Sequence, residues 1–230
     1  MAGDRLRRIL ALLSAGGDPW SSARLCRVCP GITGVTGAGV MLMSGDIPSG
    51  SLCATDEVSY LIENLQYTLG EGPCVDAFQQ DRVVAEPDLA HPATVRWVAF
   101  TPPALRAGVR AVFGFPLRVG TVRLGALNLY RARLGPLTDD QHADALVVAD
   151  VAARWVLGAQ AGAPSGTVAE ELETGADFHY AVHNAAGMVS VQEEISVTEA
   201  LIRLRAFAFS TDRLIADVAR DVVTGRLRLG

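Results

Sequence analysis

The chain has no lysine. All 20 of its basic residues are arginine, set against 25 acidic ones, for a formal charge of −5. A mildly acidic chain has no global field to attract nucleic acid, so any such contact must come from a local arginine cluster. The planar guanidinium suits phosphate, although lysine-free usage equally fits a compositional bias. Long apolar runs are also missing: charged residues such as Asp150 and Arg154 interrupt the longest ones, which excludes a membrane-spanning helix. Arg5, Arg7 and Arg8 precede an apolar run, Ile9–Leu13, too short for a signal peptide, so a cytoplasmic location is expected.

The motifs of common catalytic sites are lacking. There is no G-x-S-x-G elbow, no phosphate-binding G-x-x-x-x-G-K-[S/T], and no H-E-x-x-H motif among the four histidines. Neither a metal nor a cofactor is expected, and the chain reads as a non-enzyme. Cys26 and Cys29 form a C-x-x-C pair. It could be a redox or zinc half-site, but Cys53 and Cys74 supply no second pair, and Leu25 and Val28 place it on a partly buried helix face. Structural or incidental thiols are the plainer reading. Cys74 has no base near it in sequence that would make it a nucleophile.

Periodicity and turn chemistry organise the rest. Leu6, Ile9, Leu10 and Leu13 recur at helical spacing, GGDPW breaks the chain, and Ser21–Val28 predicts a second helix. Ala38–Ser44 predicts a strand, GDIPSG a turn, Ser51–Asp56 a hairpin partner, and Val58–Thr68 a helix. LGEGPC, Leu69–Cys74, reads as a rigid loop at the edge of a ligand pocket or as a tight turn. Val83–Pro87 predicts a short strand. Val109–Leu117 and Val122–Tyr130 predict a hairpin around Gly120, in which Ala126, Asn128 and Tyr130 alternate with Leu127 and Leu129. Thr138–Gln141 is a capping box for a helix running to about Gly158. The plan is α+β, an antiparallel sheet covered by helices.

The blocks LGEGPCVDAF, GFPL, GALNLY and PLTDDQ resemble the GAF fold as found in actinobacterial signalling proteins. That resemblance implies a sensor domain over residues 1–158 that binds a small molecule or haem in some relatives and mediates interaction in others. Cyclic-nucleotide and chromophore-attachment signatures are lacking. His91 and His142 are haem-ligand candidates by residue type only, and the ligand pocket and its occupant stay unknown.

Ala159–Thr167 changes composition and reads as a linker, followed by a possible capping box at Thr167–Glu170 and a connector to residue 176. Residues 177–230 then predict three short helices sharing a core. The first is Asp177–Glu194, with Val182, Ala185 and Val189 on one face and Ala185–Gly187 allowing close helix approach. The second is capped by Ser196 and Glu199 and buries Ala200, Leu204, Phe207 and Ala208; a break follows at Ser210–Asp212. The third carries Leu214, Val218, Ala219 and Val222.

The spaced pattern of Val182, Ala185, Gly187, Met188, Ile195, Ser196, Glu199, Ala200, Leu204, Ala208, Leu214, Asp217, Val218, Ala219 and Val222 resembles the ANTAR domain of transcription antitermination regulators. The resemblance implies a module that binds paired hairpins in nascent RNA, and the Ala185–Gly187 patch with the small core of the bundle points to a homodimer. Its RNA-binding candidates are Arg203, Arg205, Phe209, Arg213 and Arg220, with Ala186 standing where the family carries a lysine on the RNA-facing surface. The plainer reading makes these arginines a solvated face paired with local carboxylates, as Asp217 and Arg220 are spaced to do. A protein-interaction module without RNA binding is the alternative function, and a thiol reductase using Cys26 and Cys29 a third.

Overall fold

The structure is a computed structural model that describes residues 2–15, 21–44, 47–161, 177–211 and 213–229. It divides into two compact units, Met1–Thr174 and Gly175–Gly230. The GGDPW break, residues 45–46 of the GDIPSG turn, most of the linker, the Thr167–Glu170 box and the connector lie outside the described residues.

The first unit is built on five strands in the order β2-β1-β5-β4-β3, every neighbouring pair antiparallel. In chain order the elements are α1 (Ala2–Ser14), α2 (Ser22–Thr33), β1 (Gly37–Ser44), β2 (Ile47–Ala54), α3 (Glu57–Leu69), α4 (Pro73–Gln80), β3 (Val84–Glu86), α5 (Thr101–Arg106), β4 (Ala111–Val119), β5 (Val122–Arg131) and α6 (Asp139–Ala161).

Strand alternation divides this sheet into two unlike faces. Val40, Phe113, Phe115, Leu117, Leu127 and Leu129 point to one side, where they join Ile9 and Leu13 of α1, Leu25, Cys26 and Cys29 of α2, and Val148, Ala152 and Val156 of α6 in the main apolar core. Gly39, Gly114, Ala126, Asn128 and Tyr130 occupy the other side, against α3 and α4. The paired register sets Gly114 opposite Asn128 and Phe115 opposite Leu127, so a slip of one residue would exchange the faces.

Local chemistry sets the helix ends. Asp56 caps α3 by accepting from the Ser59 N–H at 2.7 Å. Thr138 and Gln141 satisfy each other's backbone N–H groups at the start of α6, as the capping box predicts. α1 is held to α6 by charge as well as by packing. Both oxygens of the buried Asp144 accept from Arg8, at 2.6 and 2.7 Å, and Arg5 Nε lies 2.9 Å from the same carboxylate. Of the four periodic α1 residues, only Ile9 and Leu13 are buried; Leu6 and Leu10 are exposed.

Several boundaries depart from the sequence expectation. β2 begins at Ile47, so Pro48 lies in a strand and not in a turn. An edge strand tolerates this, because one side of its backbone needs no ladder partner. Asp56 is a helix cap and not a strand residue. α4 and α5 were not expected. Each starts with proline in its first turn, where the missing N–H has no intrahelical partner to lose.

The second unit consists of α7 (Asp177–Glu193), α8 (Val197–Ser210) and α9 (Ile215–Val223). Val182, Ala185, Ala186 and Val189 of α7 are buried, with Ala200, Leu201, Leu204 and Ala208 of α8 and Ile215, Ala216, Val218, Ala219 and Val222 of α9. Ser196 caps α8 through the Glu199 N–H at 3.1 Å. Leu214 is the residue before α9 and is exposed; Ile215 takes the core position instead. Phe207 is only half-buried. Gly187 is not a close-approach point, since a Cβ there would meet no neighbouring atom within 4 Å.

These environments separate two glycine substitutions. A Cβ on Gly114 would lie 2.2 Å from the Pro73 carbonyl oxygen, a backbone atom that cannot rotate away. Gly114→Ala is expected to destabilise the protein by roughly 1–3 kcal/mol. Gly187→Ala is expected to stabilise it by up to about 1 kcal/mol, the helix-propensity gain alone. Chemical denaturation of both variants measures the contrast.

Candidate functional site

α3 presents Glu63, Gln66 and Tyr67 to the glycine-bearing face of the sheet, and all three are buried. Glu63 fits because β1 has Gly39 beneath it, where a Cβ would lie 2.6 Å from Glu63 Oε1. Asn128 of β5 donates from Nδ2 to Glu63 Oε1 at 3.0 Å. Gln66 Oε1 accepts from the backbone N–H of Cys74 at 2.7 Å, which ties α3 to the start of α4. Glu63 Oε2, Gln66 Nε2 and Asn128 Oδ1 are buried with no hydrogen-bond partner. Three such atoms within one cluster mark a polar site inside a packed layer, because buried polar groups are ordinarily satisfied.

Burial sets the chemistry of this cluster. It pushes the Glu63 carboxyl up from 4.5 to about 8, with the Asn128 hydrogen bond acting weakly the other way, so Glu63 is neutral at pH 7. A neutral carboxyl can donate one hydrogen bond and accept others, and it can release its proton to an arriving basic group. Burial, reinforced by the adjacent Glu63, also raises the Cys74 thiol well above its ordinary value, the Gln66 hydrogen bond opposing this. Cys74 is therefore a poor nucleophile.

At the edge of the same layer Tyr130 donates its hydroxyl proton to the Asp56 carboxylate (2.9 Å to Oδ2), joining β5 to the N-terminus of α3. Burial first, then the Asp56 hydrogen bond and charge, push the Tyr130 hydroxyl up to about 12.

LGEGPC is the α3–α4 junction. Gly70 ends α3 in the left-handed conformation, and Pro73 opens α4. Glu71 reaches across and accepts from the backbone N–H groups of Ala99 and Phe100, both at 2.7 Å. Trp97 donates from Nε1 to Asp76 of α4 at 3.1 Å, and the Arg96 guanidinium stacks over its ring at 4.3 Å. The segment between β3 and α5 is thus latched onto α4 by side chains from both. His91 is exposed and bonded to Asp88, and the His142 ring packs beside Phe115 with centroids 5.3 Å apart. Among the described residues no group of three or more His, Cys, Asp or Glu could hold a metal ion.

The C-x-x-C pair is not a dithiol. Cys26 forms a disulfide with Cys53 of β2, whereas Cys29 is a buried free thiol raised by burial to about 12. Spacing along the chain carries no sign of this pairing, because Cys53 reaches Cys26 only once β2 has folded over α2.

The arginine candidates of the second unit are distributed over α8, α9 and the turn between them. Arg203 lies near Glu193 (3.4 Å) and Glu199 (3.9 Å), Arg220 pairs with Asp217 at 2.9 Å, and Arg213 pairs with Asp221 at 2.5 Å. Arg226, not singled out by the sequence, joins Arg213 on Asp221 at 3.0 Å; its i, i+5 spacing on a helix that ends at Val223 carries no simple signal. These two cations hold the Asp221 carboxyl below its ordinary range, Arg213 contributing most. Arg205 is half-buried and Phe209 is 61% exposed. Ala186 is 1% exposed, so this position faces the interior and not the RNA-facing surface that the family lysine implies. Beside Gly187 a groove of about 610 Å³ opens between Met188 and Val191 of α7 and Val223 of α9.

Glu63 gives the first unit a pH dependence of definite sign. Its folded value lies above the unfolded one, so its contribution is fully present below about 4.5 and is lost as pH rises toward about 8. Glu63→Gln keeps an oxygen for Asn128 and removes the titration. The variant is expected to gain on the wild type progressively between pH 5 and 8, at no more than about 1.4 kcal/mol per pH unit. Melting temperatures of both proteins across that range test it; parallel curves would count against the assignment.

The fold compares with solved structures at low sequence identity. The GAF domain of a phosphoenolpyruvate-protein phosphotransferase from Coxiella burnetii is 13% identical, superposes with a TM-score of 0.50, and covers 70% of this chain and 95% of its own. The GAF domain of the corresponding Acinetobacter phosphotransferase is 12% identical with a TM-score of 0.50, covering 70% of this chain and 96% of its own. No curated protein sequence matches the chain. The family model described as GAF domain matches residues 24–154, more than half of the chain, and spans every strand and every helix from α3 to α5. The chain belongs to the GAF domain family.

Proposed function

We propose that this chain is a non-enzymatic cytoplasmic signalling regulator that binds hairpins in nascent RNA through residues 177–230 and controls transcription antitermination. The signal acts at the GAF domain, on a small molecule or a partner protein, and the working form is a homodimer. The observation that carries the RNA reading is the outward set on the three-helix unit: Arg203, Arg213 and Arg220 with the exposed Phe209.

Its physical logic starts from pair strength. Exposed ion pairs are worth about 0–1 kcal/mol each, so a phosphate can displace a surface carboxylate from an arginine with little loss. Arginine's fork then meets phosphate in two parallel hydrogen bonds. An exposed phenylalanine ring offers a stacking surface for an unpaired loop base. A signal at the GAF domain controls such binding if it prefers one arrangement of the chain over another, which makes the mechanism a shift of populations.

A specific observation favours a second reading, that of a protein-interaction and dimerisation regulator without RNA binding. Arg203, Arg213 and Arg220 all have carboxylate partners, and Ala186, at the position of the family's lysine, is buried.

Binding to hairpin RNA measured across salt concentrations separates the two. Arg213→Ala and Arg220→Ala are each expected to lower the salt slope by about 0.7–0.9, the value for one lost phosphate contact. Asp221→Asn frees Arg213 and Arg226 together and is expected to tighten binding. Ala186→Lys places an ammonium in the interior and is expected to destabilise the bundle without a gain in affinity. Slopes unchanged in both arginine variants, with helicity intact, would leave the interaction reading.

A further inference from the structure

Cys26 lies in α2, Cys53 lies in β2, and the two are covalently joined. β2 is the outermost strand on its side of the sheet, bonded to β1 alone. The disulfide therefore fastens a free sheet edge to a helix of the opposite layer. α2 in turn packs against α6, the last helix of the first unit. A hydrogen bond of 2.9 Å from the Thr55 hydroxyl to the Cys26 carbonyl makes a second, weaker tie at the same junction. Opening the disulfide would loosen this junction without abolishing it.

The four cysteines differ in access. Cys26, Cys29 and Cys74 are 0% exposed, and only Cys53 has solvent-facing surface. A thiol arriving from solvent thus meets the bond from the Cys53 side. Cys29, one helical turn beyond Cys26, is held as a thiol by burial and does not compete for the bond. Disulfides in reducing compartments are mostly transient and redox-active, whereas those of oxidising compartments persist.

We propose that the Cys26–Cys53 pair is a reversible redox site of the GAF domain, opened by a small cellular thiol and closed again by the corresponding small disulfide. In opening, the thiolate of the small thiol attacks Cys53 Sγ. A new S–S bond forms there as the Cys26–Cys53 bond breaks, and Cys26 leaves as a thiolate that takes up a proton. A second small thiol attacks the mixed disulfide and displaces Cys53, which is also protonated. The protein gains two electrons and two protons, and the two small thiols leave as one disulfide. The reverse sequence restores the bond. The switched element is the attachment of β2 to α2, and through α2 the seat of α6.

Alkylation of the full chain in denaturant, read by mass, tests the pairing directly. Without reductant two thiols should react, Cys29 and Cys74, and after reduction all four. Equilibration of the native chain with mixtures of reduced and oxidised glutathione should then open half of the bonds at a ratio within the cellular range. The opened form should melt roughly 5–10 °C lower, the scale expected for losing one cross-link. Cys53→Ser should have the lower melting temperature and ignore glutathione, and Cys29→Ser should respond as the wild type does. Four reactive thiols after equilibration with oxidised glutathione alone would overturn the proposal. So would a bond that stays closed at the most reducing ratios, which is a permanent brace, or a response lost in Cys29→Ser. The wild-type alkylation decides even if Cys53→Ser does not fold.

Discussion

The hydrogen bond from Asn128 to Glu63 stands where helix α3 meets the sheet, and the fit of that whole layer depends on it. A carboxyl taken out of water must be neutral or paired, and Glu63 takes the first course with a single amide for company. Its place exists only because β1 carries Gly39 below it. The same economy of side chain recurs at Gly114, where the backbone of α4 comes down onto β4. α3 and α4 thus meet bare backbone at Gly39 and Gly114 beside the polar Asn128 and Tyr130, while α2 and α6 sit on the large apolar side chains. One sheet carries two kinds of contact, an apolar core on one face and a close polar layer on the other.

Arginine does work here that lysine would do poorly. In the first unit it joins separate elements: Arg8 reaches both oxygens of Asp144 from Nη2, and Arg131 uses both ends of its fork, donating from Nη1 to the Pro136 carbonyl at 2.7 Å and from Nη2 to Gln141 at 2.5 Å. Arg110, the residue before β4, reaches back to the end of α5 through the Leu105 carbonyl. A lysine offers one compact charge and cannot span two acceptors in a fixed plane. Part of the arginine content therefore answers to the architecture of the first unit. In the second unit Arg203 and Arg220 pair at the surface, which leaves them open to exchange of partners, whereas Arg213 and Asp221 form a half-buried pair.

Much of the fold was legible because it rests on local rules. The alternation in β5 separated Leu127 and Leu129 from Asn128 and Tyr130 before any contact was known, and the two sets do face opposite layers. Ser196 and the Thr138–Gln141 box lie at helix starts, where their polar side chains satisfy nearby N–H groups. What escaped was partly local and partly not. α4 was hidden because LGEGPC carries so much turn chemistry, and α5 because it is only six residues long. The polar cluster also escaped, since Glu63 and Asn128 are 65 residues apart and neither looks unusual alone.

By itself, the sequence determined the class of fold, the order of most elements and most of the core positions of the three C-terminal helices, Phe207 and Leu214 excepted. Those follow from periodicity and backbone chemistry, which act over a few residues. Only the tertiary structure decided which cysteine joins Cys26, that Ala186 faces inward, and that Glu63 is buried beside Asn128. Each of these depends on which distant segments meet, and burial, which sets charge state and reactivity, is a property of that meeting and not of the residue.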